Sequence, residues 1–173
     1  MDEWTRLAVA ARETGSDADL TAFVRATQRD VWRLCAHLGD ADRADDLAQE
    51  VYLRALRALP RFRAQAPARA WLVTIVRRTV ADDIAARQRR RRLEPPPPEP
   101  EPDHQGQVVL EQLLGALDPD RRTAFVLTAV LGWSYADAAE ACDCPVGTIR
   151  SRVARAREQL IELLGPAATD RSA

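Results

Sequence analysis

Apolar residues recur every three or four positions through most of this chain, and nowhere do they alternate in the two-residue rhythm of a strand between turn signals. Leu20, Phe23, Val24, Thr27, Val31, Leu34 and Leu38 trace one helical stripe. Leu47, Ala48, Val51, Ala55 and Leu59 trace a second, which Pro60 stops. Leu72, Ile75, Val76, Thr79 and Asp83 lie on one side of a third helix that runs into the arginines at 87–92. The pattern then breaks at EPPPPEPEPDHQGQ, 94–107, whose prolines lack donors and restrict their neighbours. This stretch is predicted to be an extended, partly stiff, acidic linker. Helical spacing resumes at Val109, Leu113 and Leu114. Asp118 before Pro119 signals a new helix carrying Phe125, Val126 and Leu131, and Gly132 ends it. Ser134 caps a short helix, YADAAEAC; Asp143-Cys144-Pro145 breaks it, and a longer helix runs from about Val146 to Leu164. The expectation is an all-α fold of two small helical domains, 1–92 and 108–166, joined by a Pro-rich acidic linker over 93–107 and followed by a disordered tail at 167–173.

A short helix, a tight turn and a second amphipathic helix make a helix-turn-helix. In the second helix Ile149, Val153, Ala156 and Leu160 form a narrow apolar stripe. The opposite face centres on Ser151 and Ala154, with Arg150 and Arg155 beside them and Arg152 and Arg157 on the flanks. A helix in a major groove needs small residues at the floor, long donors beside them and charges toward both phosphate walls. Arg150, Ser151, Ala154 and Arg155 are therefore assigned to base edges, and Thr148, Arg152 and Arg157 to phosphates. A merely solvated helix face usually mixes acids among its bases at i,i+4; here no acid follows Arg150 until Glu158.

Charge sharpens the picture. The net charge of −1 hides a block at 61–92 with ten Arg and two acids beside a block at 93–120 with seven acids and no base. Such asymmetry points to a polyanion as partner for the basic block. All the basic residues are Arg, which forks onto phosphates and guanine edges, although genome composition also produces such a bias. At 46% hydrophobic the chain of 173 residues has material for a core. It has no apolar run long enough for membrane insertion, and its acidic start, MDEWTRLAVAARETG, is unlike a signal peptide, so a cytoplasmic location is expected. Cys35, Cys142 and Cys144 do not suggest a disulfide framework; Cys142-x-Cys144 could be half a metal or redox site, but no second cluster follows, and small half-buried side chains are expected. No Gly-rich phosphate loop, metal cluster or nucleophile–base set is present, so no catalysis, metal or cofactor is expected.

Two stretches, DDLAQEVYLRALRALPRF (45–62) and ARAWLVTIVRRTVADDIAARQRRRR (68–92), resemble region 2 of bacterial RNA polymerase sigma factors. The stretch LDPDRRTAFVLTAVLGWSYADAAEACDCPVGTIRSRVARAREQL (117–160) resembles their region 4. The order and spacing resemble the compact extracytoplasmic-function group of the sigma-70 family, over about 18–164. The resemblance implies a transcription initiation factor whose C-terminal domain reads the minus-35 element as duplex and whose N-terminal domain reads and opens the minus-10 element. It implies that Asp46, Gln49, Glu50, Leu53 and Arg54 grip the beta-prime coiled coil of core RNA polymerase, with the beta flap as a further polymerase contact. It places minus-10 recognition and melting on Arg61, Phe62, Arg63, Arg69, Trp71, Arg77 and Arg78, around a loop, RFRAQAPARAW (61–71), that captures a flipped base. Melted DNA presents unstacked bases and bare phosphates, which suits the basic block. Trp71 reads either as core or as a stacking platform. Most relatives carry Asn where this chain has Arg78, and a phosphate contact suits the arginine. The linker reads either as a spacer or as an acidic segment lining the RNA path.

Promoter DNA and core polymerase are thus the implied partners, and an anti-sigma factor, which holds many members inactive, is a candidate third. Two rivals remain at this level: a stand-alone helix-turn-helix repressor or activator, and an adaptor whose arginines dock acidic partners. The opposed charge blocks also suggest that the two domains pack together in the free protein and mask the recognition helix.

Overall fold

The computed structural model describes residues 1–93 and 105–164. Among these residues every regular element is helical. Helices α1 (Glu3–Thr14), α2 (Asp17–Leu38), α3 (Ala44–Ala58) and α4 (Ala68–Leu93) build the N-terminal unit. Helices α5 (Gln105–Gly115), α6 (Pro119–Phe125), α7 (Tyr135–Ala141) and α8 (Val146–Leu164) build the C-terminal one. Helix α6 runs on into a π turn, Val126–Val130, closed by the Leu131 amide on the Val126 carbonyl at 2.9 Å.

Each helix start is written locally. Asp2, Ser16, Asp118 and Ser134 accept backbone N–H groups at the first turns of α1, α2, α6 and α7, a contribution of about 1 kcal/mol each. Gly132 follows the π turn at φ 72°, and Asp143 takes φ 49° in the turn between α7 and α8. Both sit where the chain must reverse sharply, as the sequence predicts.

The stripes pack as expected. Phe23, Val31 and Leu34 from α2, Val51 from α3, and Leu72, Val73 and Val76 from α4 are fully buried together. Gly39 lets α3 come close. A Cβ there would sit 2.8 Å from the Cys35 carbonyl and 2.9 Å from a Leu47 methyl. Beside it, Asp83 of α4 is almost buried between Arg43 and Arg87, and Arg87 also reaches Asp40 at 2.6 Å. Arg87 is thereby spent inside the protein as a strut between α4 and the α2–α3 corner.

The structure adds to the sequence reading at three points. Helix α1 is not among the helices predicted from spacing; Ala8 and Ala11, small and easily overlooked, form its buried stripe. Helix α4 includes Leu93 and α5 begins at Gln105, at the two edges of the expected linker. The rest of the acidic linker and the tail at 167–173 lie outside the described residues. The two units pack against each other: Ala124, Val126, Leu127, Ala138, Ile149 and Val153 belong to the same continuous apolar cluster as the N-terminal core.

Replacing Gly39 by Ala forces Cys35 or Leu47 to move. A loss of about 1–3 kcal/mol is expected, read as a lower urea midpoint with an unchanged slope.

Candidate nucleic-acid interface

Helix α8 turns Ile149, Val153 and Ala156 into the C-terminal core and leaves Arg150, Ser151, Ala154 and Arg155 exposed, together with Arg157. The predicted groove-reading face therefore exists as one open surface. Thr148 is half-buried at its start, and its carbonyl accepts from the Ser151 hydroxyl at 2.9 Å. Arg152 differs from its neighbours. It turns sideways, and its guanidinium donates to Asp120 at 2.6 Å and lies 3.7 Å from the Cys144 sulfur.

The N-terminal unit supplies a second cluster. After α3, a single turn at Leu59–Arg61 leads into the loop before α4. Ala64 adopts φ 53° there, in the left-handed region. A cleft of about 310 Å³ lies between Arg61, Phe62, Arg63, Ala64, Gln65 and Trp71. Arg61, Arg63 and Arg78 are exposed. Phe62 is buried, so its ring forms a wall of the cleft and not a free contact. The Trp71 ring packs on Phe62 at 4.9 Å and approaches Phe23 at 6.5 Å, and it also lines the cleft.

Arg69 and Arg77 leave that cluster and cross to the C-terminal unit. Arg69 pairs with Asp137 at 2.8 Å and stands 5.4 Å over the ring of Trp133. Arg77 meets the Asp120 carboxylate at 2.5 Å. One carboxylate thus holds an arginine from each predicted DNA surface. The seam also includes Trp4 edge-on to Trp133 at 6.0 Å. Arg33 donates to the Val130 carbonyl at 2.6 Å, and Arg122 to the His37 carbonyl at 2.6 Å. A cavity of about 390 Å³ remains between α4 and α6.

The idea that domain packing masks the recognition helix is therefore corrected. The face expected to read bases stays open, while the tied side chains are Arg152, Arg77 and Arg69. The carboxylates that tie them are Asp120 and Asp137. Asp120 reads in sequence as an ordinary first-turn acid of α6, and nothing in its spacing marks it as a bridge.

The third predicted surface lies on α3. Asp46 and Gln49 are exposed, Glu50 is half-buried, and Leu53 is 44% exposed among them. Arg54 is held by Glu50 at 2.7 Å and by Asp82 of α4 at 2.6 Å, and these hydrogen bonds raise its affinity for its proton. Next to this surface, exposed Trp32 donates its indole N–H to Asp45 at 2.9 Å, a neighbour not predicted from the sequence. Burial pushes the Cys142 thiol up to about 11 and Cys35 to about 12, so both are neutral near pH 7.

Comparison with known proteins follows the same division. The family profile for Sigma-70 region 2 matches residues 23–91, and that for Sigma-70, region 4 matches residues 107–160. The chain is 48% identical over 165 residues to the ECF RNA polymerase sigma factor SigC of Mycobacterium tuberculosis, covering 91% of this chain and 89% of that one. It is 42% identical over 133 residues to the ECF RNA polymerase sigma factor EcfG of Rhodopseudomonas palustris, covering 73% of this chain and 74% of that one. Among solved structures it resembles CnrH, seen in complex with the cytosolic domain of CnrY, with a TM-score of 0.73 and 27% identity over 94% of this chain and 97% of CnrH. It also resembles the sigma factor RpoE in complex with the anti-sigma factor NepR from Bartonella quintana, with a TM-score of 0.65 and 30% identity over 86% of this chain and 98% of that one.

His37 titrates at the seam. Burial and the charges of Arg33 and Arg122 hold its pKa below the ordinary 6.5. A depressed value means that its contribution to stability is complete above the unfolded value and is lost as pH falls through the folded one. As pH falls below about 6.5, the thermal midpoint should fall more steeply in the native chain than in His37→Gln, measured by calorimetry.

Proposed function

The chain belongs to the extracytoplasmic-function group of RNA polymerase sigma factors in the sigma-70 family and is a transcription initiation factor; we propose the following division of labour among its surfaces. Helix α8 enters the major groove of the minus-35 element. Arg150, Ser151, Ala154 and Arg155 read base edges, while Thr148, Arg152 and Arg157 hold phosphates. The observation that carries this reading is the open face of α8 from Arg150 to Arg157, which holds no acid over that span, beside a buried apolar stripe.

The cleft between Phe62 and Trp71 receives a base flipped from the minus-10 element. An aromatic wall supplies stacking, worth about 1–3 kcal/mol per base. Arg61 and Arg63 line it, exposed, and Arg78 is exposed on α4, to take phosphates. Arg69 and Arg77 complete that surface once they leave Asp137 and Asp120. Asp46, Gln49, Glu50, Leu53 and Arg54 grip the beta-prime coiled coil of core polymerase, since an exposed leucine ringed by polar groups suits an interface core. The beta flap takes the C-terminal unit. The domain limits at 1–92 and 108–166 belong to the same proposal, as does a cytoplasmic site of action.

Closure of the seam accompanies the unbound state. Its ion pairs are half-exposed and individually weak, on the order of 0–1 kcal/mol each, so polymerase and DNA can exchange them for phosphates. CnrH and RpoE are seen with CnrY and NepR; a partner of that kind would act here by holding the seam shut or by covering α3 and α8.

Run-off transcription with core polymerase and promoters selected from genomic fragments tests the reading. Specific transcripts should require the chain, and Arg155→Ala should weaken them about tenfold or more, the value of one base contact. Arg63→Ala should spare promoter occupancy and lower opening. Tight binding of fragments without polymerase, with no transcript gained, would instead indicate a stand-alone regulator.

Asp120→Asn removes the shared carboxylate. The free chain should then bind a minus-35 duplex several-fold more tightly in fluorescence anisotropy, because Arg152 is released; the gain should disappear at high salt.

A further inference from the structure

We infer that α1, which lies outside the matched region 2 segment, is a brace that sets the shape of the minus-10 cleft through Thr5 and Arg12. The inference rests on the proposed role of that cleft in capturing a base.

The loop is pinned at both ends by this one helix. At its start, Arg12 donates to the Phe62 carbonyl at 2.7 Å. At its end, the Ala68 amide donates to the Thr5 hydroxyl at 2.8 Å. That second bond answers a specific need. Helix α4 begins directly after Pro67, whose side chain has no acceptor with which to cap it. Thr5 supplies the missing acceptor from another helix, and it is 3% exposed, so water does not compete there. The hydroxyl proton of Thr5 goes to Asp2 at 2.5 Å, and the Thr5 amide binds the same carboxylate at 3.1 Å. The hydroxyl is thus oriented with its lone pairs toward Ala68. Burial raises the Asp2 pKa, but the Thr5 hydrogen bonds and the Arg69 charge outweigh it, so the carboxylate stays charged.

Between the two pins the chain must hold Ala64 at φ 53°, a conformation unfavourable for alanine, and present the wall residues Phe62 and Trp71. A loop of this length with free ends would relax away from that geometry, and the cleft would lose its shape before a base arrived. A preformed cleft avoids the ordering cost at capture. Thr5 and Arg12 touch no DNA in this scheme; they are positioning residues.

The test uses the full chain in holoenzyme and separates occupancy from opening. Promoter occupancy is read by mobility shift, and opening by fluorescence of 2-aminopurine placed in the minus-10 element. Thr5→Val keeps shape and removes the hydroxyl, Thr5→Ser restores it, and Arg12→Ala removes the other pin. Thr5→Val and Arg12→Ala should each leave occupancy and polymerase binding unchanged and lower opening about fivefold to tenfold, the value of one buried hydrogen bond. Thr5→Ser should open promoters as the native chain does. Equal opening by all variants, while Arg63→Ala loses it, would overturn the brace and keep the cleft. Unchanged opening in Arg63→Ala as well would remove the cleft reading and the brace with it. Should Thr5→Val fail to fold, Arg12→Ala, on a side chain 27% exposed, decides the question by the same two readouts.

Discussion

Helix α4 has to fill the core shared by both units while carrying Arg69, Arg77 and Arg78 on its surface, and the rest of the molecule is arranged around that demand. Its Leu72–Val76–Val80 stripe is buried against α1, α2 and α3. Its next face packs on α7. Asp83, nearly buried between Arg43 and Arg87, prevents it from rotating. Removing one partner of such a cluster would leave a charge uncompensated in a dry place, so the register of α4 is strongly specified. Once that register is set, Arg78 points to solvent, while Arg69 and Arg77 reach the facing unit.

Asp120 and Asp137 exploit this placement. The same guanidinium groups that suit phosphates suit carboxylates, because Arg presents a fork of donors to either. A protein whose two halves both carry arginines therefore needs few acids to fold on itself. The face of α8 proposed to read bases takes no part in that closure. In the proposed scheme closure withholds Arg152 from the minus-35 phosphates and Arg69 and Arg77 from the minus-10 surface, and phosphate contacts supply affinity more than sequence discrimination.

Much of this was legible beforehand. Caps, breaks and apolar stripes are local signals, and Ser134, Gly132, Asp118 and the Ile149–Val153–Ala156 stripe each carried its element correctly. The exposed side of α8 followed from the stripe, since one face of a helix dictates the other. Leu53 was likewise visible as an apolar residue off its own buried face. Helix α1 was harder: alanines bury little area and make a faint stripe, and its worth lies in contacts to Phe62 and Ala68 far along the chain.

The sequence by itself determined that this protein is all-helical, that it carries a helix-turn-helix with an arginine face, and that it resembles sigma factors, because periodicity, capping and motif spacing are properties of neighbouring residues. Tertiary structure alone decided which arginines stand open and which are tied, that Asp120 bridges α4 and α8, and that Thr5 caps α4. Those outcomes join residues 32 to 68 positions apart. No local rule specifies such pairs; they form only after the apolar stripes have set the helices in register.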